Sequence, residues 1–185
     1  PSGGTSATAT GLAAGTYAVT VTDSNGCTAS ASTTISQPAS ALSASIDSKT
    51  DVACSGGSTG SATVTVAGGA SSYTYLWSPT GGINATATGL AAGTYTVTVY
   101  DANGCTADAS TIITQPDNAL SASIDSKTDV ACFGGSTGSA TVSVAGGASS
   151  YTYLWSPSGG TNATATGLAA GTYAVTVSDS KGCTA

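Results

Sequence analysis

Hydrophobic and polar residues alternate along most of the chain, and short glycine-rich turns separate the alternating stretches. In residues 39–116 the apolar positions are, in chain order, Leu42, Ala44, Ile46, Ala62, Val64, Val66, Tyr73, Tyr75, Trp77, Tyr95, Val97 and Val99. A period of two is typical of a strand with one buried face. Short strands with glycine-rich turns between them indicate an all-β protein built as a β-sandwich.

The polar positions of the first strand carry most of the charge of this stretch. Asp47, Lys49 and Asp51 alternate with Leu42, Ala44 and Ile46, so the pattern predicts that they lie on the opposite, solvent-facing side. We interpret them as a solvated strip and not as a binding site.

The pattern repeats at a fixed interval. Gly11, Gly89 and Gly167 open nearly identical phrases 78 residues apart (89 − 11 and 167 − 89). A long fixed period indicates an array of similar domains. We divide the chain into residues 1–38, the C-terminal part of a repeat, residues 39–116, a complete repeat, and residues 117–185, a repeat that lacks its last strand. The chain begins and ends inside a repeat, so we expect a longer array.

The repeats are so alike that each must meet its neighbours through nearly the same surfaces. The largest differences between residues 39–107 and 117–185 are Ser55/Phe133, Ile83/Thr161 and Tyr100/Ser178. Near-identical consecutive repeats are typical of a linear stack whose stability adds repeat by repeat. We therefore expect sandwiches that are stacked head to tail.

Aromatic residues at two recurring positions indicate that the sandwich is immunoglobulin-like. A tyrosine follows each "GLAAG" turn at the start of a strand, which resembles the tyrosine corner of that architecture. The tyrosines are Tyr17, Tyr95 and Tyr173. Trp77 and Trp155 match the buried tryptophan of its third strand, so we predict tandem immunoglobulin-like domains with both indoles in the core.

Composition argues against catalysis and against nucleic-acid binding. The chain has no His, and its three basic and nine acidic residues give a net charge of −6. The acidic residues are all Asp and the basic ones all Lys. The chain therefore has no glutamate, histidine or arginine that could act as a general acid, as a general base or as a group that stabilises an oxyanion. A negatively charged chain offers no basic patch that could bind the phosphates of a nucleic acid.

No apolar run approaches the roughly 18 residues of a membrane helix. We expect no enzyme, no cofactor and no membrane contact within this segment.

Three polar motifs have a weaker functional interpretation. Asp101 in the "DANG" turn could help to hold Ca²⁺, but one carboxylate suits a turn cap better. The glycine-rich residues 55–61 lack the lysine of a phosphate-binding loop and lead into a strand. Asn84 and Asn162 lie in Asn-Ala-Thr sequons, to which we give little weight. We predict no metal site.

Aromatic residues on one strand admit two interpretations. Tyr73, Tyr75 and Trp77 share one face and could form a sugar-binding strip. Aromatic residues on one face of a central strand more often build the interior, which is the interpretation we favour.

Two cysteines recur in each repeat, and two pairings are open. A regular pair of cysteines without histidine indicates disulfides in an oxidising, extracellular setting rather than a zinc site. One pairing lies within repeats, Cys54 with Cys105 and Cys132 with Cys183. The other joins Cys54 to Cys183 across repeats. We favour the second, because about nine residues of strand would separate Cys54 from Cys105 by roughly 30 Å.

The chain also resembles a known family. "TDVACSGGSTGSATVTVAGG", "YTYLW" and "GLAAGTYTVTVYDANGCT" follow one another in the order of the SprB-type repeat, which is found in giant cell-surface adhesins and gliding-motility proteins of Bacteroidetes. The resemblance implies secretion, display on the bacterial cell surface, and a role in adhesion or gliding.

Two functions are therefore expected. The first is structural: the shaft of an extracellular bacterial adhesin or filament, whose partners are neighbouring copies of the same repeat. The alternative is a multivalent module that binds surface glycans or other cell-surface proteins weakly at each repeat. Lateral packing of chains into a polymer is compatible with the low charge but is not required by it.

Overall fold

The computed structural model describes residues 4–185, which form thirteen β-strands and no helix. This confirms the all-β prediction. Two strands belong to the first partial repeat: β1 (Gly15–Thr22) and β2 (Thr28–Ile35). They pair as an antiparallel hairpin from Gly15↔Ile35 to Thr22↔Thr28.

The complete repeat is a sandwich of two three-stranded sheets. Its strands are β3 (Ser43–Thr50), β4 (Gly60–Ala67), β5 (Thr74–Ser78), β6 (Thr86–Leu90), β7 (Gly93–Tyr100) and β8 (Thr106–Ile113). One sheet has the order β3-β4-β6 and the other the order β5-β7-β8. These orders are those of strands A-B-E and C-F-G of an immunoglobulin domain without strand D. The sequence-based expectation of tandem immunoglobulin-like sandwiches agrees with this topology.

The third repeat has the same arrangement without a final strand in the described residues. Its strands are β9 (Ser121–Thr128), β10 (Gly138–Ala145), β11 (Thr152–Ser156), β12 (Thr164–Leu168) and β13 (Ala174–Ser178). The sheets are β9-β10-β12 and β11-β13. A single bridge, Ser178↔Thr184, stands where β8 begins in the complete repeat.

The core of the complete repeat lies between its two sheets. Its fully buried members include Leu90, Val97, Val99 and Ile113, and Trp77 is 3% exposed. The alternating apolar positions of the sequence supply this core because successive side chains of a strand point to opposite faces. Burial of these side chains is the main stabilising contribution to the sandwich.

One predicted alternation is wrong. β3 pairs with β4 through Ile46↔Val64 and then through Ser48↔Thr63 and Lys49↔Ala62, so Asp47 is an extra, bulged residue. A bulge inserts one residue and reverses the faces that follow it. Lys49 therefore shares the face of buried Ala62 and is not part of a strip with Asp47.

Candidate inter-repeat junction

The loop that carries Cys54 follows β3 and has a fixed shape. The Gly57 amide donates to the Cys54 carbonyl at 2.9 Å, and the Ala53 amide donates to Thr59 Oγ1 at 2.9 Å. A Cβ on Gly57 would lie only 3.0 Å from the Cys54 carbonyl oxygen, which explains the glycine. The glycine-rich stretch 55–61 is therefore a structural turn.

This loop is held against the exit of the same repeat. The Val52 amide donates to the Thr114 carbonyl at 2.8 Å, and the Thr114 amide donates to Asp51 Oδ1 at 2.8 Å. The Gly56 amide donates to Gln115 Oε1 at 2.9 Å. Cys54 is thus fixed beside the linker that leads into the third repeat.

Lys49 and Asp51 reinforce this attachment. Lys49 Nζ donates to Asp51 Oδ1 at 3.0 Å and to the Ile112 carbonyl at 2.8 Å. The hydrogen bond from the Thr114 amide, followed by that from Lys49, lowers the pKa of Asp51 from its ordinary value. Neither this role nor that of Gln115 could be predicted from the sequence, because both depend on contacts between residues about 60 positions apart.

The turn that carries Cys183 is organised by one buried carboxylate. Asp179 Oδ1 accepts hydrogen bonds from the amides of Lys181 and Cys183, each at 2.9 Å, and Oδ2 accepts one from Ala148 at 2.9 Å. The Ala148 amide is the largest cause of the lowered pKa of Asp179, and it outweighs burial, which acts in the opposite direction. Asp179 thereby fixes the position of Cys183.

The two turns meet in a disulfide. Cys54 and Cys183 are bonded, with their Cα atoms 5.6 Å apart and a separation of 129 positions in the chain. The sulfur of Cys183 lies 3.5 Å from the Ala53 carbonyl oxygen. Cys183 is buried at 9% exposure, whereas Cys105 occupies the same turn of the complete repeat and is exposed. Of the two pairings left open by the sequence, the structure contains the one across repeats.

The pairing within repeats fails for a geometric reason. Cys105 lies in the turn before β8, while Cys54 lies beside Thr114, which directly follows β8. An eight-residue strand separates the two ends by about 26 Å, far beyond the Cα separation of a disulfide. Within residues 4–185, Cys27, Cys105 and Cys132 are unbonded.

Asp101 in the complete repeat caps its turn in the way Asp179 does. Its Oδ1 accepts from the amides of Asn103 and Cys105, each at 2.9 Å, and its Oδ2 accepts from Ala70 at 2.9 Å. All of these bonds come from protein amides. Residues 4–185 contain no group of three or more carboxylate, thiol or imidazole side chains that could hold a metal ion.

The predicted aromatic residues lie in the interior. The Trp77 indole donates to the Asn84 carbonyl at 2.9 Å, and the buried Trp155 does the same with Asn162 at 3.0 Å. Tyr73 donates through its hydroxyl to the Gly68 carbonyl at 2.7 Å. Trp77 therefore offers no face to a sugar, although Asn84 itself is exposed.

The three turn tyrosines make the expected local bond. Each hydroxyl donates to the carbonyl four residues earlier: Tyr17 to Ala13 at 3.0 Å, Tyr95 to Ala91 at 3.2 Å and Tyr173 to Ala169 at 3.2 Å. This is the arrangement of a tyrosine corner, and it fastens the turn to the strand that follows.

Comparison with known families identifies the repeat. Residues 46–82 and 124–160 match the family model of the SprB repeat. Two segments of the chain carry the SprB repeat. Both matches run from the first strand of a sandwich to the turn after its buried tryptophan, 78 residues apart (124 − 46). The resemblance stated from the sequence is confirmed at these two positions.

Other comparisons add little to the SprB match. No curated protein matches the chain. Among solved structures, the three N-terminal domains of the bacteriophage RB49 Highly Immunogenic Outer Capsid protein (Hoc) match with 22% identity and a TM-score of 0.42. The match covers 78% of this chain and 57% of that one, and we base no argument on it. The described residues include no helix long and apolar enough to cross a lipid bilayer.

Proposed function

We propose that the chain is part of the shaft of an extracellular bacterial adhesin or filament, and that its work is mechanical. The observation that carries the proposal is the disulfide between consecutive repeats. The SprB repeats and the setting that disulfides require support display at the cell surface. The proposal assigns no catalytic role and no cofactor to the chain.

The position of the disulfide determines how the shaft responds to tension. A force that enters at the N-terminal side reaches Cys54 and passes through the bond to Cys183. The covalent path between the two cysteines then bypasses residues 55–182, even if the two sandwiches to which these residues belong unfold. Such a shaft transmits tension to a distant tip with little extension, which suits attachment under flow or movement.

The decisive experiment is single-molecule stretching of the 185-residue chain from its two ends. With the disulfide intact, the 129-residue separation between Cys54 and Cys183 contributes nothing to the extended length. Reduction, or Cys54→Ser, should add roughly 450 Å to the fully extended chain. Cys132→Ser is the matched control, because Cys132 occupies the same place in the third repeat and is unbonded.

The outcome separates a load-bearing bond from an incidental one. An unchanged extended length in Cys132→Ser with the longer chain in Cys54→Ser supports the shaft. Equal lengths for the oxidised wild type and Cys54→Ser would refute it. We do not propose glycan binding, because the candidate strip of Tyr73, Tyr75 and Trp77 packs into the core of the sandwich, where Trp77 is 3% exposed.

A further inference from the structure

The complete repeat has two sides that are built differently. On one side β3 lies against β8, and Lys49 Nζ donates to the Ile112 carbonyl at 2.8 Å. On the other side β5 and β6 are the outer strands of their sheets, and no further strand of residues 4–185 pairs with them. The third repeat has the same two outer strands, β11 and β12. The open side is thus a feature that the two repeats share.

The charged residues avoid the open side. No Asp or Lys occurs from Val52 to Tyr100, a range that contains β4, β5, β6 and β7, and none occurs from Val130 to Ser178. Natural proteins usually protect a free strand edge with charged side chains, a proline or a bulge. The five residues of β5 include neither charge nor proline, and the pairing of β5 with β7 has no bulge. This edge therefore lacks the usual protection against pairing with another strand.

The backbone along the edge of β5 has hydrogen-bonding groups to offer. The Trp77 amide points away from β7, because it donates to the Gly82 carbonyl at 3.1 Å. Since the direction alternates along an antiparallel ladder, the N–H and C=O groups of Tyr75, and of Tyr73 just before the strand, point the same way. No group of the described chain forms a hydrogen bond with them there. The Gly82 turn covers the edge at Trp77, so the accessible part lies at Tyr73–Leu76.

The third repeat has the same edge. β11 is identical in sequence to β5, and the Trp155 amide donates to the Gly160 carbonyl at 3.2 Å. The outward-pointing leucines of the two strands, Leu76 and Leu154, are 51% and 62% exposed. One chain therefore carries two copies of an uncharged and partly apolar strand edge.

We propose that two chains associate side by side through these edges, with β5 or β11 of one copy paired antiparallel to β5 or β11 of a second copy. If Thr74 lies opposite Thr74 of the second copy, Tyr73 of each copy lies opposite Tyr75 of the other. Each of these two pairs exchanges two hydrogen bonds, which use the groups that both edges leave unpaired. The sheets of the two copies then form one continuous sheet.

A second copy is the occupant that suits this edge best. Its own edge presents the same groups in the complementary antiparallel order, and neither edge has a charge that would oppose the contact. One such contact is small and weak by itself. Thr74 and Thr152 mark two edges that recur 78 residues apart (152 − 74), so a chain of the same repeats can add one contact to another.

This inference goes beyond the proposed function, since a chain with another role could associate in the same way. The stretching experiment uses single molecules and needs no second copy. Failure of the shaft would therefore leave lateral association intact, and failure of association would leave the shaft intact.

The first test is sedimentation velocity of the full chain over a range of concentrations. Cys27, Cys105 and Cys132 are replaced by Ser, so that the bond between Cys54 and Cys183 is kept and no disulfide can form between chains. We expect oligomers whose proportion rises with concentration.

A pair of lysine substitutions tests the edge in this background. Thr74→Lys combined with Thr152→Lys places like charges directly opposite each other and should weaken association tenfold or more. Thr88→Lys combined with Thr166→Lys is the matched control, because it makes the same change of charge at exposed positions of β6 and β12. The control should associate like its parent, and Trp fluorescence should show that both variants are folded.

Three results of this test would overturn the proposal. The first is a chain that stays monomeric at every concentration, even if it binds a synthetic peptide of residues 72–78, because the edge would then take its strand from another source. The second is equal association of the Thr74→Lys, Thr152→Lys variant and its parent. The third is loss of association in the control alone, which would place the contact on β6 and β12.

The second test identifies the contact by cross-linking. In the same background, Thr74→Cys and Thr152→Cys place thiols where paired strands bring opposite Cα atoms to about 4.5 Å, a separation that suits a disulfide. Equal amounts of ¹⁴N- and ¹⁵N-labelled chain are mixed and mildly oxidised. Mixed-isotope dimers linked through positions 74 or 152 should form much faster than those of the Thr88→Cys, Thr166→Cys control. Equal rates for the two variants would contradict pairing through β5 and β11.

Discussion

At the scale of single residues, two buried aspartates hold the turns of the sandwiches in place. Asp101 and Asp179 each accept amide hydrogen bonds from their own turn and from a second turn about 30 residues earlier. Those from Ala70 and Ala148 are the largest causes of the lowered pKa of each carboxyl group. Both side chains therefore stabilise the fold in their charged form.

The pH dependence of stability follows from these shifts. A carboxyl group whose pKa is lower in the folded state stabilises the protein above its unfolded value and loses that effect as the pH falls. The free energy of unfolding should therefore be constant near neutral pH and decrease as the pH drops through the ordinary value of 3.8 and below. Chemical denaturation from pH 7 to pH 2 measures it.

Variants assign this effect to the capping side chains. Asp101→Asn should lower the melting temperature by several degrees at pH 7 and make it less dependent on pH, because an amide cannot accept all three hydrogen bonds equally well. Asp108→Asn changes an exposed residue on β8 and should leave both properties unchanged. Equal effects of the two variants would contradict the capping role.

Residue roles that depend on nearby positions could be predicted, and those that depend on distant positions could not. The bond of Tyr95 spans four residues, so the "GLAAGTY" phrase contains all of it. The bond between Asp101 and Ala70 spans 31 residues, and the turn sequence indicates only a cap. Lys49 is similar, because its contact with Ile112 requires β8 to lie beside β3.

At the scale of elements, nearly the same strand sequence lies in two different settings. β8 completes a sandwich, whereas β2 lies in a hairpin and all its residues are exposed. Alternation predicts the strand in both cases, but burial depends on whether a second sheet covers it. The burial pattern is thus a property of the sandwich and not of the strand.

Truncation of Ile113 tests the importance of the final strand. Ile113→Ala should cost about 2–5 kcal/mol, because it removes a fully buried side chain and leaves a cavity. Ile112→Ala is the neighbouring control: Ile112 is 59% exposed, and its loss should cost less than about 0.5 kcal/mol. Denaturation followed by Trp77 fluorescence in a Trp155→Phe background measures the second repeat alone. Similar costs for both variants would mean that β8 does not seal the core.

At the scale of the whole molecule, the disulfide between Cys54 and Cys183 restrains the second and third repeats. Both turns that carry these cysteines are fixed by hydrogen bonds within their own sandwiches. A covalent bond between two fixed turns limits the range of angles between the sandwiches.

Small-angle X-ray scattering of the full chain tests this restraint at a concentration where the chain is monomeric. Cys54→Ser should broaden the distribution of overall dimensions, because only the linker then joins the two repeats. Cys132→Ser should scatter like the wild type. If Cys54→Ser and wild type give the same distribution, other contacts hold the repeats and the bond is dispensable for rigidity.

The sequence by itself determined the repeat length, the strands, the inward-facing apolar residues and the aromatic residues of the core. These features depend on local alternation and on nearby turns, and the 78-residue repeat contains both. Only the tertiary structure decided which cysteines pair, which face of β3 carries Lys49 and which strand covers the edge of the complete sandwich. The cysteine pairing depends on which ends of neighbouring sandwiches meet, and the position of Lys49 depends on a bulge opposite another strand. No pattern along a single strand records either arrangement.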